Sequence, residues 1–157
     1  MIIKYGAPKV LFILKRKQNY DIINDSYIGM STGLYNSASF MCDMLNENGI
    51  NSKISVVIDN NDIDREVTQY KPTHVIIEAL WVVPTKFAIL TKLHPNVKWI
   101  IRLHSELPFL ANEGNAIDWL GDYVGYKKVF IGTNAPKITR ELKEFLKNTK
   151  QLSEKKI

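Results

Sequence analysis

A single cysteine, Cys42, stands in a chain of 157 residues, so no disulfide can form within it and a cysteine-built metal site has no basis. Cys42 lies in a helical pattern beside Met41 and close to Met44, which reads as core packing and suits a reducing cytosol. No apolar stretch approaches the roughly 18–20 residues that span a bilayer. The start, Met1-Ile2-Ile3-Lys4-Tyr5, lacks a cleavable signal pattern and leads into strand-like sequence, so a cytoplasmic protein is expected. There are only three histidines and no metal-ligand spacing among them, so neither a bound metal nor a cofactor is expected. There is no GxGxxG and no Gly-Lys-Ser/Thr, which removes the nicotinamide fingerprint and the Walker loop.

Acidic charge is scarce toward the C-terminus. Residues 126–157 hold nine Lys/Arg against three Glu, while the rest of the chain is close to neutral, so the net +5 belongs to the end. A basic end of this kind supports weak attraction to an anionic membrane or to nucleic acid, and otherwise forms a solvated helix face. Hydrophobic residues make up 45% and charged residues 24%, the balance of a globular domain with one core.

Five short, near-continuous Val/Ile/Leu runs alternate with helical patterns. The runs are Lys9–Leu14, Lys53–Ile58, Thr73–Ile77, Val97–Leu103 and Lys128–Ile131. Strands of this character are buried on both faces, as in a parallel sheet. Helices are expected from Thr32 or Gly33 to Asn48 with Gly49 as the stop, and over Asn60–Tyr70, Pro84–Leu93 and Asn115–Val124. A last helix is expected to be capped by Thr133 or Asn134, with Pro136 in its first turn. The fold class is therefore α/β: a single doubly wound, Rossmann-like domain with a mainly parallel sheet of about five or more strands. The domain is expected over 1–148, with 149–157 a flexible basic tail. The connection from Lys15 to Ser31, about seventeen residues, is long for a compact domain and is expected to be a functional loop.

Candidate chemistry gathers where strands should end, since ligands of open α/β sheets bind at the carboxyl edge. Val97–Leu103 breaks into Arg102, His104, Ser105 and Glu106 before Pro108. Histidine is the side chain whose ordinary pKa suits proton transfer near neutral pH, so His104 is the catalytic candidate. Gly29, Ser31, Thr32 and Gly33 close the long loop, where glycines admit a ligand to the backbone and a helix start offers N–H groups to an anion. Lys15, Arg16 and Lys17 follow the first strand and can attract phosphate, or simply be a solvated loop. Glu78 interrupts an apolar run, and Trp81 either lines a sugar or base pocket or packs on the next helix. His74 and His94 fall at the opposite edge or in a connection.

Four segments in order carry a family resemblance. Lys9–Leu14 with Gly29-Met30-Ser31-Thr32-Gly33, then Lys71-Pro72-Thr73-His74-Val75-Ile76-Ile77-Glu78, then Val97–Pro108, then Lys128-Val129-Phe130-Ile131-Gly132-Thr133-Asn134-Ala135-Pro136 resemble the N-terminal, acceptor-side domain of GT-B glycosyltransferases of the retaining family-four type. The resemblance implies that His104 faces the acceptor and the reacting sugar, and that Gly29 and Gly33 bring backbone near the donor diphosphate. Ser105 separates His104 from Glu106, whereas the family often has the acid directly after the histidine. The resemblance further implies a nucleotide-sugar donor, an acceptor, and a C-terminal donor-binding domain or subunit, without which little transfer is expected. The alternative on the same fold is a non-catalytic nucleotide- or phosphosugar-binding module. A nucleic-acid-associated protein is the third reading, resting on the basic end alone.

Overall fold

The computed structural model describes residues 7–16, 19–21, 26–28, 32–104, 115–147 and 156–157. In chain order the elements are β1 (Lys9–Lys15), the short β2 (Asn19–Asp21) and β3 (Ser26–Ile28), α1 (Thr32–Glu47), β4 (Asn51–Val57), and α2 (Ile63–Tyr70) behind a 3-10 turn at Asn60–Asp62. They continue through β5 (His74–Glu78), α3 (Lys86–Leu93), β6 (Lys98–Arg102), α4 (Ala116–Tyr123), β7 (Val129–Gly132) and α5 (Pro136–Leu146). All five expected strands and all five helices are present. The main sheet has the order β4-β1-β5-β6-β7 and every pairing in it is parallel.

The apolar runs work because both faces of the sheet are covered. Val10, Phe12 and Leu14 of β1 pack against Ala38 and Cys42 of α1. The alternate residues, Leu11 and Ile13, join Val75, Ile77, Trp99 and Ile101 under Ile63 and Val67 of α2, Phe87 and Leu90 of α3, and Tyr123 of α4. The two-residue period of a strand thus sends successive side chains to different helices. Each such aliphatic or aromatic side chain, fully buried, contributes about 1.5–3 kcal/mol. Leu142 and Leu146 of α5 pack with Leu120, Val124 and Ile131.

Local signals set the boundaries. Gly49 takes φ 81° after α1, the left-handed stop that glycine permits. Asp59 and Asp62 form a reciprocal capping box, with the Asp59 carboxylate accepting from the Asn61 N–H at 2.7 Å. Within the long connection after β1, β2 and β3 pair antiparallel. One expectation is corrected. The cap of α5 is Ala135, not Thr133 or Asn134: Pro136 occupies the first helical turn and holds the residue before it extended, at φ −151° and ψ 143°. The Thr133 hydroxyl instead meets that of Thr139.

Most of the segment expected as a flexible basic tail lies outside the described residues. Its last two residues are docked. The Lys156 carbonyl accepts from the Ile131 N–H at 2.8 Å, and its ammonium donates to the carbonyls of Tyr126 and Val129 at 2.6 and 2.9 Å. Burial there lowers the Lys156 pKa from its ordinary value. Among the described residues, no helix is long and apolar enough to cross a membrane.

Candidate functional site

The strand order places a topological switch at β1. The chain leaves β1 for β4 on one side, then crosses back to β5 on the other. In open α/β sheets the crevice forms outside the carboxyl ends of the strands flanking such a point. Here those ends are Lys15 of β1 and Glu78 of β5.

Glu78 is the last residue of β5 and its side chain is fully buried. Val75 and Ile77 face α2 and α3, so the two-residue period turns Glu78 toward the α1 side. Parallel register sets Glu78 beside Arg102, the last residue of β6, and Arg102 beside Gly132, the last of β7. The carboxylate is shared. Oε1 accepts from Arg102 Nη1 at 3.0 Å, and Oε2 is hydrogen-bonded to His104 Nε2. Arg102 then reaches α1, donating from Nη2 to Ser37 Oγ at 2.6 Å. A buried carboxylate is costly unless its lone pairs are met by donors, and two side chains meet it here, the Arg102 guanidinium and the His104 ring.

The backbone at this strand end is also held. Ala79 has φ 71°, a left-handed conformation that costs a residue with a Cβ about 1–2 kcal/mol. Its N–H donates to the Arg102 carbonyl at 3.0 Å, and the Glu78 carbonyl accepts from the Trp81 indole N–H at 2.9 Å. Strain of this kind persists where surrounding contacts over-determine the backbone, as they do at functional sites.

Of the residues singled out from sequence, His104 stands at the centre of this cluster and is 18% exposed, so it is reachable from solvent. Arg102 supports it rather than standing apart. Trp81 packs against the buried cluster under α2 and α3, and its indole N–H is engaged by Glu78. Lys15 and Arg16 are exposed at the carboxyl end of β1, near the switch point. Thr32 and Gly33 open α1. Lys17, Gly29, Ser31 and Glu106 lie outside the described residues. His74 starts β5 at the far edge of the sheet, and His94 follows α3, where it pairs with Asp64 at 2.6 Å.

The sequence marked Glu78 as an acid interrupting an apolar run but assigned it no role, and it did not single out Ser37. An acid directly after Val75-Ile76-Ile77 was the visible signal for Glu78. Its partners became identifiable only with the strand order. Beside the cluster, an open pocket of about 500 Å³ is lined by Thr133, Asn134, Ala135, Pro136, Thr139 and Arg140. The Leu103 N–H, donating to the Gly132 carbonyl at 2.8 Å, ties the two regions together.

No protein-family model matches the chain, and no curated protein matches it.

Proposed function

We propose that this chain is the acceptor-side half of a glycosyltransferase that moves a sugar from a nucleotide-sugar. His104 faces the acceptor and the sugar in transit, and a second, donor-binding domain or subunit completes the site. The observation that carries the reading is the cluster of His104, Glu78 and Arg102 at the carboxyl edge, next to the switch point. A partly exposed imidazole held by a buried carboxylate suits recognition of a hydroxyl and proton movement at it. The ordered segments that resemble the family-four domain support the same assignment. Lys15 and Arg16 provide positive charge on the same edge for an anionic substrate. Stabilising a departing diphosphate calls for groups on its far side, which is the role of the second half.

The test is transfer from a panel of nucleotide-sugars by the full-length protein together with any partner it co-purifies with. His104→Ala is expected to lower kcat/KM by about 10²-fold or more, the scale of general acid–base or positioning groups, in a variant that still folds but melts somewhat lower, because the buried Glu78 carboxylate loses one of its two donors. A second reading, a non-catalytic module binding a nucleotide or phosphosugar, draws on the pocket at β7–α5, where hydroxyls and Arg140 suit a phosphate. Tight binding of a nucleotide by this chain alone, without transfer, favours the module.

A further inference from the structure

We propose that Glu78 is a positioning residue that fixes the ring tautomer of His104, so that Nδ1 is the nitrogen offered to a ligand hydroxyl. The proposal rests on His104 being the working group of the preceding section, but its first test needs no substrate.

Glu78 is fully buried and paired through Oε1 with the Arg102 guanidinium at 3.0 Å. As a carboxylate it only accepts hydrogen bonds. Its Oε2 meets His104 Nε2, so the hydrogen in that bond must reside on Nε2. A neutral imidazole with its proton on Nε2 carries its lone pair on Nδ1. The ring cannot exchange these roles without leaving a buried carboxylate oxygen short of a charged or polar donor. The backbone that carries the carboxylate is held as well. Glu78 ends a central strand, its carbonyl is held by Trp81, and the next residue is locked at positive φ. Arg102 is anchored in turn by Ser37 of α1 at 2.6 Å. A ring held by such a chain is preorganised, and the energy of orientation is spent on folding rather than on binding.

Glu78→Gln keeps the shape of the side chain but breaks the logic. An amide presents an acceptor or a donor to Nε2, so neither tautomer is enforced. Nitrogen-15 and proton NMR of the full chain at neutral pH reads the ring directly. The wild type is expected to show a downfield proton on His104 Nε2 that exchanges slowly with water, with Nδ1 unprotonated. In Glu78→Gln that proton is expected to exchange at least tenfold faster or to vanish, and in the transfer assay kcat falls while KM stays within about twofold. A wild-type ring protonated on Nδ1, or one whose Nε2 proton exchanges as fast as that of a free imidazole, overturns the proposal even if Glu78→Gln fails to fold. An unchanged His104 spectrum in folded Glu78→Gln overturns it equally. Failure of sugar transfer with the wild-type ring signals as expected overturns the glycosyltransferase reading and leaves the role of Glu78 intact.

Discussion

At the scale of single residues, the site depends on one carboxylate and one glycine. Glu78 joins three side chains: Arg102 on β6, His104 just beyond it and, through Arg102, Ser37 on α1. Gly132 does the opposite, by leaving space. A Cβ built there would lie 3.1 Å from Ile100 Cγ2, and the Arg102 backbone sits close behind. The methyl of a β-branched residue inside a strand has little freedom to withdraw. Gly132→Ala is therefore expected to destabilise the fold by about 1 kcal/mol through overpacking, measured by urea denaturation. It should also disturb the Arg102–Glu78 pair, seen as a change in the His104 ring signals. A midpoint and spectrum equal to those of the wild type would show that β6 yields freely.

At the scale of elements, the question is what holds the helices in place over the sheet. Tyr123 of α4 is fully buried, and its hydroxyl donates to the Val82 carbonyl in the connection between β5 and α3. Burial raises its phenol pKa well above the usual value, so it remains a donor at any working pH. Its ring meets Phe87 of α3 edge-on at 5.6 Å. Tyr123→Phe keeps that ring contact and removes the bond, which is expected to cost about 1–2 kcal/mol, read as a lower chemical-denaturation midpoint at unchanged slope. A midpoint unchanged within error would show that the carbonyl finds another donor. The elements themselves were legible in the sequence. Lys9–Leu14 or Val97–Leu103 can be little other than a buried strand, and Gly49 marks the stop of α1 by backbone geometry alone. The β2–β3 pairing was not legible, because Asn-Tyr-Asp and Ser-Tyr-Ile are too short and too polar to show a strand period. The cap of α5 was missed because side-chain chemistry pointed to Thr133 and Asn134, while the ring of Pro136 decided the matter.

At the scale of the whole molecule, strand order converts scattered residues into a site. Residues 78 and 102 are distant in sequence, and nothing local connects them. Parallel register on neighbouring strands does. Global stability should also report the sheet's other edge. Burial, with a smaller contribution from Lys98, lowers the His74 pKa below its ordinary 6.5. The folded state then binds fewer protons than the unfolded one between the two values, so the associated stability is fully present above about pH 6.5 and is lost as pH falls from there through the lower folded pKa. His74→Gln is expected to flatten the decline in unfolding free energy between pH 7.5 and 5.5. Identical slopes in the two proteins would assign the decline to other groups.

The most direct measurement of the central claim is release of nucleotide from a nucleotide-sugar by the full-length protein, together with any partner that co-purifies with it, wild type against His104→Ala. The account predicts acceptor-dependent release by the wild type and a loss of about 10²-fold or more in a variant that still folds. Undiminished turnover in His104→Ala would contradict it.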